Sequence, residues 1–163
     1  MKIAIVYYSL SGNTEFVAKK IQEKTGASLL FIDCEKKYPT GAVTKFIWGG
    51  RSAVMEEQPK LKPYTFNLEE YDHIVIGSPN WARNVVPPIR TFVVENPGLK
   101  NKKISAFVCQ SGRGEQKVFA KIKEILGIES FENEMCLIDP KDNKDKKAEE
   151  KINCFCSRLS STI

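Results

Sequence analysis

A chain of 163 residues, 42% of them apolar, has the size and composition of one domain with a single core, and residues 1–163 are expected to form it. Its 25 Lys and Arg against 20 Asp and Glu leave a net charge of +5, yet the lysines are scattered among acids with no basic stripe carrying aromatics, which speaks against a nucleic-acid partner. No stretch approaches the roughly 18 apolar residues of a membrane span, and the run after Lys2 stops at Ser9, short of a secretory signal, so a cytoplasmic protein without a membrane partner is expected.

Lys2–Tyr8 is apolar on both alternating faces, with Ile3, Ile5 and Tyr7 on one and Ala4, Val6 and Tyr8 on the other. A strand buried on both sides belongs inside a parallel sheet covered by helices. Ser9-Leu10-Ser11-Gly12-Asn13-Thr14 then turns the chain into an amphipathic run with Val17, Ala18 and Ile21 at helical spacing, ending at Lys24-Thr25-Gly26. Ser28–Asp33 reads as a second strand, completing a βαβ unit.

Between Cys34 and Glu70 prolines and glycines punctuate the chain around a short helix over Val43–Trp48 that extends towards Met55, with Trp48 expected to be a packing residue. His73–Gly77 is a third strand, and Pro87–Glu95 a helix opened by two prolines. His73, the single histidine, is expected to be an ordinary surface imidazole. Ile104–Cys109 is a fourth strand and Gly114–Leu126 a helix stopped by Gly127. Phe131–Ile138 holds a fifth strand, and Lys141–Leu159 reads as a final helix whose charged first half is solvated. Five strands alternating with five helices make a doubly wound α/β sandwich.

Cys34, Cys109, Cys136, Cys154 and Cys156 are an odd number, and free thiols are the default. The C-x-C pair would point its sulfurs about 200° apart on a helix, and no second pair or histidine cluster accompanies it, so no metal is expected. Cys109 is expected to be a packed small hydrophobe.

In a doubly wound sheet, ligands lie beyond the carboxyl ends of the strands where strand order reverses. The first such loop, Ser9–Thr14, aims helix amides and three hydroxyls at whatever lies in front, and it lacks both G-x-x-x-x-G-K-[ST] and G-x-G-x-x-G. It suits a phosphate held by neutral donors, but the same residues also make an ordinary N-capped helix. The second loop, Gly77–Pro88, carries Trp81, whose indole either covers a planar heterocycle or folds under its own loop. The third is Gln110–Gly114.

Taken together, these three stretches resemble the flavodoxin family. Ser9–Thr14 is similar to its phosphate loop, [ST]-x-[ST]-G-[NT]-[ST]. Gly77-Ser78-Pro79-Asn80-Trp81 followed by Pro87-Pro88 is similar to its ring-binding loop, and Gln110–Gly114 to its third flavin loop. The resemblance implies a flavodoxin-like three-layer α/β/α sandwich with a five-stranded parallel sheet in the order 2-1-3-4-5, and FMN as cofactor. It implies that Ser9, Leu10, Ser11, Gly12, Asn13 and Thr14 hold the phosphate. Ser78, Pro79, Asn80, Trp81, Ala82 and Arg83 would border the ring, with Gln110, Ser111, Gly112, Arg113 and Gly114 on its other side. The third loop lacks the second aromatic usual in flavodoxins that act as carriers, and the chain is basic where carriers are acidic. Three functions therefore stay open: an electron-transfer flavoprotein, an NAD(P)H-dependent oxidoreductase acting on a quinone-type acceptor, or a cofactor-free binding module. Expected partners are a redox protein or a small electron acceptor.

Overall fold

The computed structural model describes residues 1–161. Its strands are β1 (Ile3–Tyr7), β2 (Ser28–Phe31), β3 (His73–Pro79), β4 (Lys103–Gln110) and β5 (Asn133–Ile138), and its helices α1 (Asn13–Thr25), α2 (Ala42–Val54), α3 (Pro87–Glu95), α4 (Glu115–Leu126) and α5 (Ala148–Ser160). The strands form one sheet in the order β2-β1-β3-β4-β5, all neighbours parallel. Order reverses at β1, which lies between β2 and β3, so the loops after β1, β3 and β4 share one edge of the sheet.

The alternation along β1 sorts the core into two layers. Ala4 and Val6 join Ile74, Ile76, Ile89, Phe92, Val118 and Phe119 under α3 and α4. Ile3, Ile5 and Tyr7 join Val75 and Phe107 against Val17 and Ile21 of α1 and Ile152, Phe155 and Leu159 of α5. Each such aliphatic or aromatic side chain taken fully out of water is worth about 1.5–3 kcal/mol, so both helical layers are held by burial. At Gly77 the strands approach closely, and a Cβ there would lie 2.4 Å from Phe107 Cζ.

Several expectations need correction. The last helix starts at Ala148, not Lys141: Pro140 opens a 3-10 turn over Pro140–Asp142, and Asn143 at φ 58° leaves the right-handed helical region. Asp145 then closes the connection, accepting from the Ile138 and Lys147 amides and, at 2.7 Å, from Lys151 Nζ. These bonds, against the opposing effect of burial, hold the Asp145 carboxyl below its usual range. His73 is not a surface group but fully buried, its Nε2 2.9 Å from Ser105 Oγ. Trp48 is exposed, not packed, since it is the two glycines behind it that α2 turns towards the loops. The second strand ends at Phe31, two residues early.

On α5, Cys154 is exposed and Cys156 buried, the opposite facing that C-x-C spacing on a helix dictates; all five cysteines are free thiols. Among the described residues no helix is long and apolar enough to cross a membrane.

Candidate functional site

The three loops enclose a cleft of about 220 Å³ at the carboxyl edge of the sheet. Of the residues expected there, Ser9, Leu10, Ser11, Asn13, Thr14, Pro79, Asn80, Trp81, Ala82, Arg83, Gln110, Ser111, Gly112 and Arg113 line it. Gly12, Ser78 and Gly114 do not. The Ser78 hydroxyl donates to Pro79 O at 2.8 Å and accepts from the Val86 amide, so it is spent inside its own loop. Gly12 and Gly114 are backbone positions: both lie in the left-handed region, at φ 94° and 109°, and open α1 and α4.

The first loop leaves the Ser9 hydroxyl and its helix-start amides free, while Asn13 and Thr14 have side-chain partners. No side chain caps α1, so the amides of its first turn keep no intrahelical acceptor. The Ser9 hydroxyl is sealed from solvent and, among the described residues, has no hydrogen-bond partner. Thr14 is buried beside Cys109, whose thiol burial pushes far above its ordinary range, the Thr14 hydroxyl only partly offsetting this. An orphaned hydroxyl next to uncapped amides is the arrangement an anion would complete.

The second and third loops brace each other. Asn80 Nδ2 donates to Gln110 Oε1 at 2.7 Å, its Oδ1 accepts from the Arg83 amide at 2.8 Å, and its own amide donates to Cys109 O at 2.9 Å. Gln110 Nε2 donates onward to Glu115 at 2.7 Å, which holds the Glu115 carboxyl below its usual range. Asn80 and Gln110 therefore have side chains occupied in fixing the cleft's shape. Trp81 and Asn84 close a two-residue turn with Ala82 at φ 52° and Arg83 at φ 62°. Left-handed residues with a Cβ cost roughly 1 kcal/mol each, and the bond from Arg83 to Asn80 opposes that cost.

Trp81 does both things the sequence allowed. Its indole lines the cleft, yet it also meets Tyr8 edge-on at 5.6 Å and Tyr38 at 5.0 Å. Behind it, a Cβ on Gly49 would come within 3.1 Å of the ring, so a glycine is what allows α2 to lie against the indole.

Comparison with protein families matches residues 2–149 to the flavodoxin family. The chain belongs to the flavodoxin family. Among solved structures, the flavodoxin fold recurs in a flavoprotein from Lactobacillus acidophilus in complex with FMN, at 20% identity over 92% of this chain and 97% of that one, with a TM-score of 0.71. A putative flavoprotein from Bacteroides uniformis is similar at 24% identity over 84% and 90%, TM-score 0.72. Oxidised flavodoxin 2 from Bacillus cereus matches over 100% of both chains at 18% identity, TM-score 0.62. The comparison with curated proteins finds no match.

Four residues of the site were not assigned from the sequence. Gly50 and Cys109 line the cleft, and the β5 end contributes Asp139 and Lys141. Asp139, buried and at φ 38°, accepts from Ser111 Oγ at 2.6 Å and Asn13 Nδ2 at 3.5 Å, and pairs with Lys144 at 3.2 Å. The Lys141 amide donates to Asn13 Oδ1 at 3.0 Å, and its side chain lies across Gly12. The loop's own donors are neutral, but a cation from outside it, Lys141, stands against Gly12. Asp139-Pro140 after a strand was a readable turn signal, but nothing local to it points at a loop more than a hundred residues away. Among the described residues, neither Arg83 nor Arg113 has a carboxylate within ion-pair distance.

Proposed function

We propose that this flavodoxin-family chain binds FMN non-covalently and transfers electrons through it. One observation carries the reading: the Ser9–Thr14 loop presents an uncapped helix start and an orphaned buried hydroxyl to a cleft bordered by Trp81. Ser9, Ser11, Thr14 and the first-turn amides would hold the phosphate; several hydrogen bonds to a charged group, at about 1.5–3 kcal/mol each, make that end the anchor. Trp81 and the Asn80–Gln110 brace would position the ring system. When bound, FMN supplies reversible one- and two-electron redox chemistry. The solved FMN complex of the Lactobacillus acidophilus flavoprotein, on the same fold, supports the choice of cofactor.

A cleft of about 220 Å³ falls below the roughly 300–1,000 Å³ of pockets that enclose a whole ligand, so part of the flavin would face outward. An exposed edge suits delivery of electrons to a redox partner protein or a small acceptor such as a quinone, in the cytoplasm. Arg83 and Arg113, exposed and without an ion-pair partner among the described residues, favour a second reading, an NAD(P)H-dependent oxidoreductase of a quinone-type acceptor. Loading the purified protein with FMN and recording its visible spectrum and fluorescence tests the proposal. Bound, quenched, yellow flavin is expected; a colourless protein that leaves added FMN fluorescent would mean a cofactor-free binding module. Bleaching by NADPH alone would select the oxidoreductase.

A further inference from the structure

Resting on the FMN reading, we infer that Lys141 is a built-in counter-cation for the phosphate loop and strengthens this chain's preference for the phosphorylated flavin. The side chain crosses the loop glycine: a Cβ on Gly12 would lie 3.2 Å from Lys141 Nζ, 3.5 Å from Cδ and 3.7 Å from Cε. Its backbone is tethered to the same loop, the Lys141 amide donating to Asn13 Oδ1 at 3.0 Å. The turn that carries it is pinned at both ends, by Asp139 and Asn143 in the left-handed region, and by Asp142 N–H donating to Asp139 O at 3.0 Å.

Most of the surrounding charge is already matched. Asp139 is paired with Lys144 at 3.2 Å and Glu15, at the start of α1, with Lys19 at 2.8 Å. Lys141 has no carboxylate within ion-pair distance among the described residues, and the exposed Asp142 is the neighbouring acid without such a pair. Lys141 does not line the cleft, so its ammonium acts on the phosphate through space and not as a direct ligand. An exposed charge so placed attracts a dianion, is indifferent to a neutral ligand, and is weakened by salt.

The test measures dissociation constants of FMN and of riboflavin, which lacks the phosphate, in wild type, Lys141→Met and Lys146→Met, at low and at physiological ionic strength. Lys146, exposed in the same lysine run, controls for net charge. Lys141→Met is expected to weaken FMN about fivefold at low salt, leave riboflavin unchanged and flatten the salt dependence, while Lys146→Met does none of these and Lys141→Arg restores the preference. Equal loss for both flavins, or no loss for FMN in a variant with a wild-type melting curve, would overturn the role of Lys141 while leaving FMN binding intact. Failure of the wild type to bind FMN would overturn both readings.

Discussion

The Ser111 hydroxyl donates to the Asp139 carboxylate across 2.6 Å, joining the loop after β4 to the turn after β5. Asp139 also accepts from Asn13 at the start of α1, so one buried carboxylate ties the first and third loops of the site together. Asp139→Ala removes the acceptor for both and puts a poorly suited residue at φ 38°. We expect a loss of about 2–3 kcal/mol, a fall in Tm of several degrees, and weaker FMN binding, read by thermal denaturation and flavin titration. Asp139→Asn, which tolerates the left-handed conformation, should lose less; equal losses would mean that the carboxylate and not backbone strain decides.

The phosphate loop should outweigh the ring contact. Ser11→Ala with Thr14→Val removes two donors to a charged group, whereas Trp81→Ala removes one stacking surface worth about 0.5–1.5 kcal/mol beyond its buried area. FMN affinity measured by fluorescence quenching should fall more in the double variant. Because Trp81 also packs on Tyr8 and Tyr38, Trp81→Ala should cost fold stability as well, visible in urea unfolding without ligand. The reverse order of affinities would show that the phosphate loop is misassigned.

His73 makes stability depend on pH. Burial lowers its pKa below the ordinary 6.5, with Lys103 adding to this and Glu132 opposing it. Above pH 6.5 the ring is neutral in both states and its full contribution is present. As pH falls below that value the unfolded chain takes up a proton that the fold resists, and stability drops until the folded-state pKa is passed. The urea midpoint should therefore decline from pH 7.5 to 5.5, and His73→Gln should flatten that decline. An unchanged slope in the variant would assign it to other groups.

Arg83 and Arg113 should tune the bound flavin. Positive charge at the cleft favours the fully reduced, anionic flavin, so the Arg83→Ala, Arg113→Ala double variant should have a lower potential for the second electron, by tens of millivolts and most at low salt. Potentiometric titration checks it. A potential that does not move would place both guanidinium groups beyond electrostatic reach of the ring.

Much of this molecule could be read from residue patterns. The both-faced apolarity of Lys2–Tyr8 foretold the two core layers under β1, and the small polar stretches at Ser9–Thr14, Gly77–Pro88 and Gln110–Gly114 marked the loops that meet at the cleft. These signals are local, because strand alternation and turn chemistry are properties of neighbouring residues. His73 was misread because a polar side chain is ordinarily exposed, and only its pairing with Ser105 on β4, 32 residues away, makes burial affordable.

The sequence by itself determined the order of elements, the parallel sheet and the positions of the three loops, since hydrophobic period and glycine placement act over a few residues. Only the tertiary structure decided what each loop residue is free to do. It spends Ser78 and Asn80 on neighbours, leaves Ser9 without one, splits Trp81 between cleft and core, and lays Lys141 across Gly12. Hydrogen bonds and charges are satisfied by whatever the fold brings within a few ångströms, and that partner is seldom near in the chain.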